Sequence, residues 1–167
     1  MVFLAFLTSL GFIFFPSSPF GEKYANEGYS TVSASYHYRY TREKGEYTAG
    51  AEFSYGKSYT KYKINPKASL FQTSHGSTFV SVAGEKKITL TDKILVSGYI
   101  GPAISFIQRK DKDYSSGALN FSMGVGVSYL VTKRVSLEVG LSHISNANIT
   151  QPNDGIDSLM FKVNFRL

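Results

Sequence analysis

The chain has no cysteine, only five prolines and, past its first fifteen positions, no long apolar run. Without cysteine there is no disulfide framework, no thiolate zinc site and no cysteine nucleophile, so stability and chemistry rest on other residues. So little proline beside 15 glycines excludes collagen-like and low-complexity chains. Nothing after Phe15 approaches the roughly 18–20 apolar residues of a membrane-spanning helix. Acidic residues are also sparse. Twelve Asp+Glu stand against 18 Lys+Arg, a formal charge of +6 that suits an anionic partner or a solvated basic face. Nucleic acid is not that partner, because the basic residues form no interleaved aromatic and basic platform. Three separated histidines make a poor metal site, and neither metal nor cofactor is expected.

Aromatic side chains are abundant, with 13 Phe and 12 Tyr in 167 residues. That load is too high for a disordered chain, and the length suits one domain. Met1 to Phe15 is nearly all apolar and meets Pro16, Ser17, Ser18 and Pro19. The run is shorter than a spanning helix and matches the apolar region of a secretory signal, although no Lys or Arg precedes it. The expected organisation is therefore a signal peptide over 1–25, cut between Pro16 and Asn26, and a single domain over 26–167. A buried N-terminal strand or an interfacial anchor is the alternative.

The remaining chain alternates with a period of two. Val32, Ala34, Tyr36, Tyr38 and Tyr40 interleave with Ser33, Ser35, His37 and Arg39. Tyr47, Ala49, Ala51, Phe53 and Tyr55 repeat the pattern, as do Leu119, Phe121, Met123, Val125, Val127, Tyr129 and Val131. Such alternation predicts strands with one apolar face and one polar or small face. In a soluble, lipocalin-like barrel the apolar face lines the interior; in an outer-membrane barrel it meets lipid. Tyrosines near strand ends resemble interfacial girdles and favour the membrane barrel. Phe161, Val163, Phe165 and Leu167 keep the last strand amphipathic to the terminus, as in chains whose final strand closes a barrel.

The expected fold is all-β, an eight-stranded antiparallel transmembrane β-barrel of the outer membrane. Strands are predicted near 29–41, 46–57, 62–73, 77–90, 93–107, 117–131, 134–146 and 156–167. With both termini periplasmic, the segments 42–45, 74–76, 108–116 and 147–155 lie outside and the turns 58–61, 91–92 and 132–133 inside. Pro66 falls within one strand, where it suits an edge, an end or a bulge, and Glu85-Lys86-Lys87 interrupts the next.

The seventh and eighth strands carry the chemistry. The apolar phase Val135, Leu137, Val139, Leu141 continues into His143 and Ser145, and the phase of Leu159, Phe161, Val163 and Phe165 extends back to Asp157. Residues i and i+2 of a strand share a face, about 6.5–7 Å apart, so an imidazole at 143 can lean toward a hydroxyl at 145. An antiparallel hairpin closed by 147–155 can bring Asp157 beside His143. A hydroxyl, a base and an orienting carboxylate then share one outward patch near the outer interface, the arrangement of a serine esterase. Polar residues that merely mark the end of a strand are the competing explanation. His37 reads as a lumen residue and His75 as a loop residue, neither with a partner at an instructive spacing.

The string His143-Ile-Ser-Asn-Ala147, then Gln151-Pro-Asn-Asp-Gly-Ile-Asp157, closely resembles the signature of the outer-membrane lipid A 3-O-deacylases, the PagL family. The resemblance is tight over the final quarter and covers the rest only in strand pattern and length. It implies that Ser145 is the nucleophile, His143 the general base and Asp157 the orienting acid. It also implies oxyanion support from Asn153, with Asn146 beside the nucleophile and Gly155 in the same loop. Turn chemistry explains Asn153-Asp154-Gly155 equally well. Members of the family carry Glu at the acid position, so Asp157 requires a closer hairpin or a bridging water. The implied substrate is lipid A of lipopolysaccharide, cut at the ester of its 3-position acyl chain, and the apolar stripes serve as an acyl-chain platform among outer-membrane lipids. Arg109, Lys110 and Lys112 are positioned to attract lipid A phosphates, a solvated loop being the plainer reading. A homodimer is allowed. The rival functional reading is a non-enzymatic small barrel with a structural or adhesion role.

Overall fold

The computed structural model describes residues 30–39, 51–57, 64–73, 76–107, 118–151, 153 and 155–167. The expected signal peptide, the segments 42–45, 58–61 and 108–116, His75, and Arg109, Lys110 and Lys112 lie outside the described residues. The strands are β1 (Ser30–Arg39), β2 (Ala51–Lys57), β3 (Asn65–Gln72), β4 (Thr78–Thr89), β5 (Ile94–Ile107), β6 (Leu119–Leu130), β7 (Val135–Ser145) and β8 (Ile156–Arg166). Each pairs antiparallel with its sequence neighbour, and β1 pairs with β8 to close the barrel.

Burial is inverted relative to a soluble protein. On β7, Leu137, Val139 and Leu141 are 45–50% exposed while Glu138 and Ser142 between them are buried. On β8, Leu159, Phe161 and Phe165 are exposed while Met160, Lys162 and Asn164 are buried. Water does not tolerate a continuous apolar belt of this kind, and a bilayer does. The greasy phase therefore meets lipid, and the soluble, lipocalin-like alternative is set aside.

The polar phase fills the lumen. Glu138 accepts hydrogen bonds from Ser97 (3.2 Å), Ser128 (2.9 Å) and Asn164 (3.2 Å), and Lys162 lies 3.9 Å away. Lys67 sits 3.6 Å from the centre of the Tyr99 ring. Gly124 makes room for that ring, since a Cβ there would come within 2.6 Å of it. Toward the outer end an apolar cluster of Phe71, Phe79, Ile144 and Ile156 replaces the charges. These groups fill the narrow interior that a barrel of this size leaves.

Two sequence irregularities resolve in this setting. Pro66 occupies the start of β3, opposite Gly84 of β4 but beyond the last β2–β3 pair, Gly56 with Lys67, so its missing N–H interrupts no described β2–β3 pair. Glu85-Lys86-Lys87 does not interrupt β4, contrary to expectation. Glu85 points into the lumen and pairs with Lys87 on the same face at 3.1 Å, a charge pattern that a polar lumen accommodates.

Candidate active site

The last pairs of β7 with β8 are His143 opposite Asp157 and Ile144 opposite Ile156. Beyond them the strands part into the loop that joins them. Direct opposition places the Asp157 carboxylate within reach of the imidazole, and Asp157 Oδ1 lies 2.8 Å from His143 Nδ1. An Asp therefore suffices where a Glu has one methylene more, and no bridging water is needed. A carboxylate only accepts, so Nδ1 carries the proton and donates it to Asp157. That tautomer leaves Nε2 as an acceptor, and the Ser145 hydroxyl lies 2.8 Å from it, donating.

All three residues continue the outward phase of their strands, yet His143 and Ser145 are only 3% and 8% exposed. The returning loop accounts for the burial. Gly155 adopts a φ of +68° and passes so close that a Cβ there would stand 2.8 Å from His143 Cε1 and 3.3 Å from Ser145 Cβ. Glycine is needed twice, for the left-handed backbone and for the close approach. Asp157 remains open, its side chain 45% exposed. Burial of the other two excludes competing water from the imidazole and strengthens its hydrogen bonds.

The loop is tied by its asparagines. Ile149 N–H donates to the Asn146 carbonyl at 3.0 Å, with Ala147 at φ 52° and Asn148 at φ 64° between them. Two consecutive positive φ values across such a bond make a type I′ turn, natural for Asn148 and strained for Ala147. The Asn146 side chain is fully buried and donates to the Thr150 carbonyl and hydroxyl at 2.8 and 2.7 Å. Its Oδ1 accepts from Asn148 N–H at 3.0 Å. Asn153 Oδ1 accepts from Asn146 N–H at 3.0 Å, and its amide donates to Asn148 Oδ1 at 2.9 Å. Asn146 and Asn153 thus hold each other and the residue that follows Ser145. One Asn153 amide hydrogen is not used in that bond, because the group has two.

The six residues singled out in sequence, Ser145, His143, Asp157, Asn153, Asn146 and Gly155, come together in one site. Sequence reasoning missed Asn148 and Thr150, although the run Asn146-Ala-Asn-Ile-Thr150, rich in residues that accept left-handed turns, carried the signal. It also passed over the partners of His37, described below. No group of three His, Asp or Glu side chains arranged to hold a metal occurs among the described residues. The arrangement can do one thing readily: transfer a proton from a hydroxyl to an imidazole held in the correct tautomer.

Comparison with known proteins shows the fold and the family. The family model described as "Lipid A 3-O-deacylase (PagL)" matches residues 23–166. Among curated proteins, none matches the sequence. Among solved structures, the crystal structure of the outer membrane enzyme PagL is similar at a TM-score of 0.62 and 22% identity, over 82% of this chain and 99% of that one. A de novo designed transmembrane β-barrel gives the same TM-score at 11% identity, over 84% and 96% of the two chains. The outer membrane protein Ail of Yersinia pestis gives 0.55 at 14%, over 84% and 100%. At such identities the structures report the fold, while the family model spans nearly the whole described chain. The chain belongs to the lipid A 3-O-deacylase (PagL) family, ester hydrolases of the bacterial outer membrane.

Proposed function

We propose that this eight-stranded transmembrane barrel removes the 3-position acyl chain of lipid A by a Ser-His-Asp mechanism. Ser145 Oγ attacks the ester carbonyl carbon while His143 Nε2 takes its proton. Asp157 holds the opposite N–H and stabilises the imidazolium that forms. The carbonyl oxygen becomes an oxyanion, and the free amide hydrogen of Asn153 is its proposed donor. Collapse expels the glucosamine 3-hydroxyl, protonated by His143, and leaves a 3-hydroxyacyl ester on Ser145. Water, deprotonated by His143, attacks that ester and releases the fatty acid. No cofactor enters any step.

The observation that carries this reading is the relay itself, two 2.8 Å hydrogen bonds running carboxylate to imidazole to hydroxyl on the lipid-facing phase. A substrate anchored in the outer leaflet cannot enter the filled lumen, so an outward site is the one it can reach. Outer-leaflet lipids surround the exposed belt, and a homodimer through that belt is compatible with it. The proposal includes an export segment over 1–25 and the barrel at 26–167 as the working unit.

Replacing Ser145 by Ala tests the mechanism. The variant is expected to remain a heat-modifiable, folded barrel and to release no 3-hydroxy fatty acid from lipopolysaccharide, read by mass spectrometry of lipid A. Undiminished release would falsify the role of Ser145.

A further inference from the structure

His37 lies on β1, on the lumen face, 3% exposed and outside the relay. Its Nε2 lies 2.9 Å from the Ser35 hydroxyl, and its Nδ1 lies 3.0 Å from the hydroxyl of Ser142. Ser142 immediately precedes His143 and points to the opposite face of β7. The imidazole reaches it across β8, past Met160, which pairs with both His37 and Gly140. Its ring also meets the Phe71 ring edge-on, centroids 4.9 Å apart. Phe71 belongs to the apolar cluster with Phe79, Ile144 and Ile156. Ile144 separates His143 from Ser145, and Ile156 adjoins Asp157.

We infer that His37 is a positioning residue for the deacylase, holding from inside the lumen the strand segment that presents His143 and Ser145 outside. This rests on the proposed relay and extends it. The need for such a brace follows from the register. Ser145 lies past the last β7–β8 pair and is paired only on its β6 side, opposite Phe121, among the described residues. A strand end paired on one side frays unless the segment is tied at both ends: Asn153 ties Asn146 just beyond Ser145, and His37 ties Ser142 just before His143. Packing supplies contact without direction, whereas an imidazole between two hydroxyls fixes both angle and distance. Each serine hydroxyl can donate or accept, so both ring nitrogens are satisfied in a place where an unpaired one is costly.

The test compares His37→Leu, His37→Gln and Ser142→Ala in full-length barrels shown to be folded by heat-modifiable mobility. Misplacing reacting groups by about 1 Å lowers turnover on the order of 100-fold, so His37→Leu is expected to lower kcat by roughly 10- to 100-fold with KM unchanged. Modification of Ser145 by a fluorophosphonate probe slows in parallel. His37→Gln, which keeps one donor and one acceptor, recovers most of the loss. Wild-type kcat in His37→Leu overturns the inference. So does a loss that Gln fails to restore or that appears as a raised KM, since either assigns the imidazole to packing alone. If His37→Leu does not fold, Ser142→Ala decides: a severalfold lower kcat in a folded barrel supports the brace, and wild-type kcat overturns it. Activity retained in Ser145→Ala removes the relay and this inference together. An inactive Ser145→Ala beside wild-type turnover in the His37 and Ser142 variants removes the brace alone.

Discussion

Adding one methyl group at Gly155 attacks the site at the point where loop and relay touch. The new Cβ would stand 2.8 Å from His143 Cε1, where carbon atoms ordinarily rest about 3.5–4.0 Å apart, so at least roughly 0.7 Å has to be recovered. The imidazole has little freedom to give, because both of its nitrogens are held at 2.8 Å, one by Asp157 and one by Ser145. If the ring yields, it leaves the hydroxyl; if the loop lifts, the tie between Asn153 and Asn146 opens. Either way kcat is expected to fall by about 100-fold, the usual cost of misplacement near 1 Å and equivalent to about 2.7 kcal/mol in the barrier. The φ of +68° separately costs a non-glycine residue about 1–2 kcal/mol of stability. Gly76→Ala separates the two effects, since Gly76 also has a positive φ, 90°, and lies between β3 and β4, outside the relay. Both variants should lower the temperature at which the barrel loses its compact mobility in detergent gels, and only Gly155→Ala should slow release of 3-hydroxy fatty acid. Wild-type turnover in a folded Gly155→Ala barrel refutes the account of the close approach.

Asp157→Asn keeps the shape of the acid but offers Nδ1–H an amide that can also donate; the wrong tautomer then competes, and kcat should drop by about 10⁴-fold, with Asp157→Glu far less affected. A Glu variant as inactive as the Asn variant would show that the direct opposition of positions 143 and 157 leaves no room for the longer chain. Asn153→Ala removes the acceptor for Asn146 N–H and the proposed oxyanion donor together, for an expected loss of about 10²–10³ in kcat. Asn153→Asp retains the acceptor but loses the amide and with it both the bond to Asn148 and the oxyanion donor, so near-full activity in that variant would reduce Asn153 to an acceptor for Asn146 N–H and refute the oxyanion role. In the lumen, Glu138→Ala removes the shared acceptor of Ser97, Ser128 and Asn164 and the counter-charge beside Lys162, and the barrel should lose about 3–5 kcal/mol, measured as a lower heat-modification temperature. An unshifted temperature would mean that the knot around Glu138 adds no stability.

Much of the site was legible because strand geometry is simple. A strict period of two assigns His143 and Ser145 to the phase of Leu137, Val139 and Leu141, and Asp157 to that of Leu159 and Phe161. The same rule ran into difficulty at Glu85-Lys86-Lys87, because a charged triplet looks like a break until a closed lumen supplies the environment that accepts Glu85 and Lys87. It also passed over Ser35 and His37, although they repeat the spacing of His143 and Ser145 with the order reversed. Their partner Ser142 lies 105 positions from His37, and only closure of β1 onto β8 brings the two within 3.0 Å.

The residue order alone determined which side chains share a face of the barrel wall, since parity along a strand is a local property of the backbone. It also determined that a hydroxyl, an imidazole and a carboxylate end neighbouring apolar stripes. The tertiary structure decided the rest. Closure turned the apolar phase outward, register set 143 against 157 so that the shorter acid reaches directly, and the returning loop buried His143 and Ser145 under Gly155 on that outward face. Both outcomes depend on how two strands part and how the segment between them folds back, and such long-range geometry has no period for a sequence to display.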